Sequence, residues 1–198
     1  MNKEDFKKLY ALIIGINKIA YEMFENYLAF YSIRFNNNKE VTYQLPIALC
    51  MLMKNHYHIY VIEASKILHS GKNYFLLNKA LNLIEKDPIL AEKAILLRRK
   101  LNLYKSLIHK ISNARNTIFA HLDEKFGSYK SEIDHSELDK LNEFIKEIIH
   151  FLNESIKIQP EFDYRNFGQT SITEFYDFVY TKITQTDDGK SLNSQEWF

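Results

Sequence analysis

The sequence predicts an all-α protein, a single-domain bundle of five or six helices. Three observations carry this. Apolar residues recur every three or four positions over long stretches, which is the helical period. Gly and Pro are scarce, five and three in 198 residues, whereas strands joined by tight turns call on both more often. Leu, Ile, Lys, Glu and Asn dominate the composition, which favours helix over sheet. At 198 residues and 46% apolar content, the chain is long enough to bury one sizeable core.

The elements follow in order. Phe6, Leu9, Ile13, Ile16, Ala20, Met23, Tyr27 and Phe30 place one amphipathic helix over residues 3 to 33. The polar run Phe35-Asn36-Asn37-Asn38-Lys39 ends it. A second helix is expected to start near Leu45-Pro46 and to run to about Leu68, with Ser70-Gly71 as its stop signal. A shorter helix spans roughly Tyr74 to Glu85. Asp87-Pro88 reads as an N-cap followed by Pro at the first helical position. It would open a basic helix from about Ile89 to His121, kinked or split near Lys100. Asp134-His135-Ser136-Glu137 has capping-box spacing. Leu138, Leu141, Ile145, Ile148, Ile149 and Leu152 then mark a helix to about Ile158. The helical domain is thus expected over 1–158. Residues 159–185 would add a loop and a short aromatic helix, Ile172 to Ile183, and 186–198 a mobile tail.

Several classes are excluded by composition. Cys50 is the single cysteine, so no internal disulfide forms, which fits a reducing compartment. No stretch reaches the roughly 18 apolar residues of a membrane span. The mixed-charge start, Met1-Asn2-Lys3-Glu4-Asp5, is unlike a signal peptide. A cytoplasmic protein without membrane contact is expected. There is no Gly-rich phosphate loop, no Cys/His zinc spacing and no Ser nucleophile elbow. His56 and His58 are two apart, so a helix points them in different directions, and neither a metal site nor any other cofactor is expected.

The chemistry concentrates on the basic helix. From Lys93 to Leu122 there is no Asp or Glu, while Lys93, Arg98, Arg99, Lys100, Lys105, Lys110 and Arg115 contribute +7. The whole chain is +1, so the remainder carries −6. The block ends in Ile111-Ser112-Asn113-Ala114-Arg115-Asn116-Thr117-Ile118-Phe119-Ala120-His121-Leu122-Asp123. At about 100° per residue, Leu107, Ala114, Ile118 and Leu122 fall within roughly 60° of Ile111 and form a buried seam. Arg115 lies about 40° to one side and His121 about 80° to the other. Arg98, Lys105, His109 and Asn116 share a different, exposed side. With Arg99 and Lys110 they make a basic surface suited to RNA. A histidine in a helix's last turn is favoured as the imidazolium by the helix dipole, and Arg115 can grip phosphate oxygens with two donors. Metal-independent RNA cleavage needs these parts: a proton-transfer group and a fixed charge for the phosphate. One Arg and one His are thin for both jobs, and two copies across a two-fold axis would supply a pair of each.

Arg115-Asn116, then Thr117-Ile118-Phe119-Ala120, then His121 resembles the HEPN motif: Arg, a polar residue, a mostly apolar spacer and His. The extended string, closing with Ala120-His121-Leu122-Asp123, is most similar to the AbiU-type abortive-infection branch. The resemblance covers residues 3 to 158, and its motif is seven residues long. It implies a metal-independent endoribonuclease, a homodimer with RNA as substrate, used in toxin–antitoxin or phage-defence systems. Arg115 and His121 would be catalytic, with Asn116 assisting, and the product would be a 2′,3′-cyclic phosphate. An antitoxin or other defence-system protein is a candidate further partner. HEPN toxins modified by a nucleotidyltransferase antitoxin often carry a Tyr two residues after the His. Asp123 stands there in this chain, which argues against regulation by that modification.

Plainer readings stand beside this one. Arg115 could clamp a carboxylate such as Glu63, and His121 could be a helix C-cap. Glu63 itself is either a solvated acid or the orienting partner of Arg115. The chain could be a non-catalytic HEPN-like module that binds nucleic acid or a protein on its basic face. It could also be a structural helical domain whose partner docks on the aromatic C-terminal region.

Overall fold

The computed structural model describes residues 1–36, 39–40, 45–69, 77–120, 133–157 and 191–192. Six helices make up these residues: α1 (Lys3–Arg34), α2 (Ile47–Leu68), α3 (Leu77–Ile84), α4 (Ala91–Leu103), α5 (Lys105–Ala120) and α6 (His135–Ser155). The architecture is the expected all-α bundle. Short backbone pairings accompany it: β1 (Phe35–Asn36) runs antiparallel to β2 (Lys39–Glu40), and β3 (Leu45–Pro46) to β4 (Ser191–Leu192). The last pairing ties Ser191–Leu192, within the expected tail, to the residues just before α2. The expected helix Ile172 to Ile183 lies outside the described residues.

The helices form where the apolar period predicts them. α1 packs most extensively on α2, burying Leu9, Ile13, Ile16, Ala20, Met23, Tyr27 and Phe30. Phe6, expected on that stripe, is exposed. α6 buries Leu138, Leu141, Ile145, Ile148, Ile149 and Leu152, each such aliphatic worth about 1.5–3 kcal/mol. Its start is capped as the sequence indicates: Asp134 accepts a bond from the Ser136 amide at 2.8 Å. That bond holds the Asp134 carboxyl below its usual pKa. Asn2 caps α1 in the same way, accepting from the Asp5 amide at 2.8 Å.

Polar pairs fix the helices in register. Asn17 of α1 and Asn153 of α6 exchange amide bonds of 2.7 and 3.1 Å. Tyr27 donates to Asp139 at 2.6 Å, and Tyr60 donates to Asn142 at 3.0 Å. Burial, first of all, pushes both phenols well above the ordinary tyrosine pKa.

Three boundaries differ from expectation. α2 opens at Ile47, with Pro46 in β3 rather than inside the helix. Asp87 does not cap α4. Its side chain accepts from Ile89 N at 3.1 Å and its carbonyl from Leu90 and Ala91, so residues 88–90 form a turn and α4 starts at Ala91. The basic arm, expected to kink or split near Lys100, is two helices broken at Tyr104, and α5 is described as far as Ala120. At the break the Tyr104 amide turns back to Leu101 at 3.1 Å, and its ring stacks on Phe144 with centroids 5.7 Å apart. An aromatic contact with α6 therefore sets the bend.

Candidate functional site

The seam of α5 is the expected one. Leu107, Ile111, Ala114 and Ile118 are all buried. Leu122, the fifth position, lies outside the described residues. Arg115 is half-buried at the edge of this seam and Asn116 next to it is exposed. His121 lies outside the described residues, so the structure does not place it against Arg115.

The cationic residues divide by helix. Lys105, His109 and Asn116 fall within about 40° of one another on α5, and all three are exposed. Lys110 is half-buried on another side. Arg99 of α4 is exposed. Arg98, expected in the α5 row, is separated from it by the break at Tyr104. Its guanidinium is bound to Glu85 at 3.0 Å and to Asn82 at 2.8 Å, so it fastens α4 to α3. Lys100 lies 3.9 Å from Glu147 and over the Phe144 ring, and Lys93 lies over Phe151. The block that is free of acid in sequence is thus partly answered by acids and rings from α6 and from the end of α3.

Glu63 is neither a solvated acid nor the partner of Arg115. It is 6% exposed and pairs with Lys66, one turn on in its own helix. Its Oε2 is buried with no hydrogen-bond partner among the described residues. Helical phase places Glu63 on α2. Glu63 follows His56 by seven residues, about 20° short of two full turns, and His56 bonds Asn26 of α1 at 2.8 Å. Glu63 therefore stands on the flank of α2 that meets α1.

The opposite flank of α2 supplies a contact the sequence did not announce. His69, just past the end of α2, places Nδ1 3.2 Å from Ser112 Oγ on α5. Ser112 is buried and His69 half-buried. On α5, Arg115 is three residues and Asn116 four residues beyond Ser112, so the two flank it on the next turn. No local signal could have found this pair, which is separated by 43 positions.

His56 bonds Asn26, and the His135 ring packs against Phe30 and Tyr57. His56 and His58 are half-buried. Burial lowers the pKa of His56, and burial with Lys54 nearby pushes His58 down to about 4. Among the described residues no three His, Cys, Asp or Glu side chains gather as a metal site, and no helix is long and apolar enough to cross a membrane. A cavity of about 180 Å³ lies between α1 and α6 beside Tyr27, Tyr31, Asp139 and Asn142. A larger groove of about 650 Å³ runs along Leu103, Tyr104, Lys140 and Phe144. Neither reaches Arg115 or Asn116.

No family model, no curated protein and no solved structure matches this chain. The class that fold and site define is an all-α bundle with a half-buried arginine beside an exposed basic row.

Proposed function

We propose that the protein is a metal-independent endoribonuclease of the HEPN type, acting on RNA in the cytoplasm in phage defence or as a toxin. Its site is composite, formed at a homodimer interface by Arg115, Asn116 and His121 of both chains. The observation that carries this reading is the position of Arg115. It is half-buried at the edge of the seam of Ile111, Ala114 and Ile118, next to the exposed Asn116, on a helix whose Lys105 and His109 are also exposed. A guanidinium so placed is partly desolvated, and it would meet a phosphate at the end of a cationic track. In the reaction the ribose 2′-oxygen bonds to phosphorus and the bond to the 5′-oxygen breaks. Arg115 holds the charge on the phosphoryl oxygens, and His121 moves a proton. The products are a 2′,3′-cyclic phosphate and a 5′-hydroxyl.

The test is cleavage of single-stranded RNA in excess chelator, with end-group analysis, by wild type and by His121→Ala. Full activity in the His121→Ala protein would remove the site assignment. A second reading, a non-catalytic module for RNA or an acidic protein, draws on the exposure of Arg99, Lys105 and His109. It predicts salt-sensitive binding without cleavage.

A further inference from the structure

The cavity of about 180 Å³ between α1 and α6 carries a net negative charge. Three of its lining residues are charged: Asp139, Glu143 and Lys146. Lys146 pairs with Glu143 at 2.7 Å, so these two cancel. Asp139 makes no ion pair among the described residues. It is half-buried, and its carboxylate accepts a 2.6 Å bond from the Tyr27 hydroxyl, which fixes it at the wall. The other walls include Leu28 and the rings of Phe24, Tyr27 and Tyr31. The Tyr27 and Tyr31 centroids are 6.1 Å apart. Burial first, and Asp139 with it, raises the pKa of both phenols, so the carboxylate charge is felt at both rings. Lys146 Nζ lies 5.4 Å over the Phe24 ring, so one ring of this cluster already carries a cation. Phe24 and Tyr27 are buried, whereas Tyr31 and Asp139 are half-buried, so the last two can be reached from solvent.

A carboxylate with no cationic partner, set among aromatic rings, favours a cation that sheds its water easily. A hard metal ion would ask for several oxygen ligands, and this wall offers one unpaired carboxylate. A cavity of about 150 Å³ takes a benzene-sized molecule, so this one has room for an ammonium ion bearing a few carbons. We propose that the cavity binds a small substituted ammonium ion, held by Asp139 and by the rings of Tyr27 and Tyr31. Its charge balances Asp139, and its alkyl groups rest against Leu28 and the rings. The proposal does not rest on the nuclease reading. Neither Arg115 nor Asn116 lines the cavity, and such a ligand is neither substrate nor product of RNA cleavage.

Choline and its neutral isostere, in which carbon replaces the charged nitrogen, are the probes. Binding to the full chain is measured by titration calorimetry at constant ionic strength for wild type, Asp139→Asn and Tyr31→Leu, with thermal melts as a fold check. Asp139→Asn removes the charge but keeps an acceptor for the Tyr27 hydroxyl. Wild type should bind choline saturably and at least about tenfold more tightly than the isostere. Asp139→Asn should lose about tenfold or more in choline affinity and little in affinity for the isostere. Tyr31→Leu should lower the ratio of the two affinities. Absence of saturable choline binding by wild type, or equal affinity for the two probes, overturns the proposal. So does a folded Asp139→Asn protein that binds choline as wild type does. An unchanged ratio in folded Tyr31→Leu also overturns it, since the rings would then take no part. Cleavage of RNA by the same protein, present or absent, bears on none of these outcomes.

Discussion

Helix α6 pairs some of its charges within itself. Lys146 reaches Glu143 at 2.7 Å and His150 reaches Glu154 at 3.2 Å, both within one turn. Helix α5 carries no acidic residue from Lys105 to Ala120, so none of its cations can be answered from within. Both helices bury an apolar stripe of the same period. α6 encloses its stripe between self-paired charges, while α5 sets Arg115 and Ser112 against the edge of its own. Ile111 and Ala114 beside Arg115 are fully buried. A partly desolvated guanidinium costs solvation that an alanine would not. The difference between the helices is what separates a framework element from a candidate working one.

The sharpest way to break the comparison is to remove the groups that the nuclease reading puts to work. His121→Ala should abolish cleavage, and Arg115→Ala should lower kcat by about 10²–10³-fold, as the loss of a donor to transition-state charge does elsewhere. Neither change should shift the urea midpoint by an amount typical of a core lesion. Rate and midpoint measured on the same preparations check this. A large stability loss in Arg115→Ala with no kinetic effect would return Arg115 to the framework.

The converse experiment cuts both stripes. Ile145→Ala in α6 and Ile111→Ala in α5 each empty a site that is fully buried. Each should cost about 2–5 kcal/mol of unfolding free energy, read from urea or thermal melts. If the framework and working helices differ as argued, Ile145→Ala lowers stability and leaves the rate per folded molecule unchanged. Ile111→Ala should lower both, since Arg115 follows it by one turn.

Much of this contrast was legible in the sequence, because it depends on period. The α1, α5 and α6 stripes and the Asp134 cap could be read from spacing alone. What could not be read depends on the third dimension. The +7 block is uniform along the chain, yet Glu85 and Glu147 answer two of its members from other elements. The break at Tyr104 has no Gly or Pro to mark it and follows from a ring stacked on α6. The position of Glu63 follows from which flank of α2 meets α1, and the approach of His69 to Ser112 from which flank meets α5.

A smaller effect tests the basic row alone. Under the nuclease reading, Lys105→Glu should weaken RNA binding and reduce the salt slope by about 0.7 for each phosphate no longer neutralised. Binding by an inactive His121→Ala protein, titrated at several salt concentrations, measures it. Charge reversal at Arg98 should act differently. It breaks the tie to Glu85 and Asn82 and should lower stability rather than the salt slope.

The smallest effect concerns α2, the helix between the two regions. His58 is pushed down to about 4 by burial and then by Lys54, so the folded protein holds it neutral where the unfolded chain would bind a proton. Between about pH 6.5 and pH 4 the unfolded state therefore takes up more protons. The contribution to stability is fully present above that window and is lost as pH falls through it. His58→Gln cannot titrate and should flatten this part of the stability-versus-pH curve, measured as the urea midpoint between pH 7 and pH 4. The His56 ring, also lowered by burial and bonded to Asn26, contributes in the same direction, so the double variant should be flatter still. An unchanged slope in both would mean that the packing around these rings opens readily enough to hydrate them.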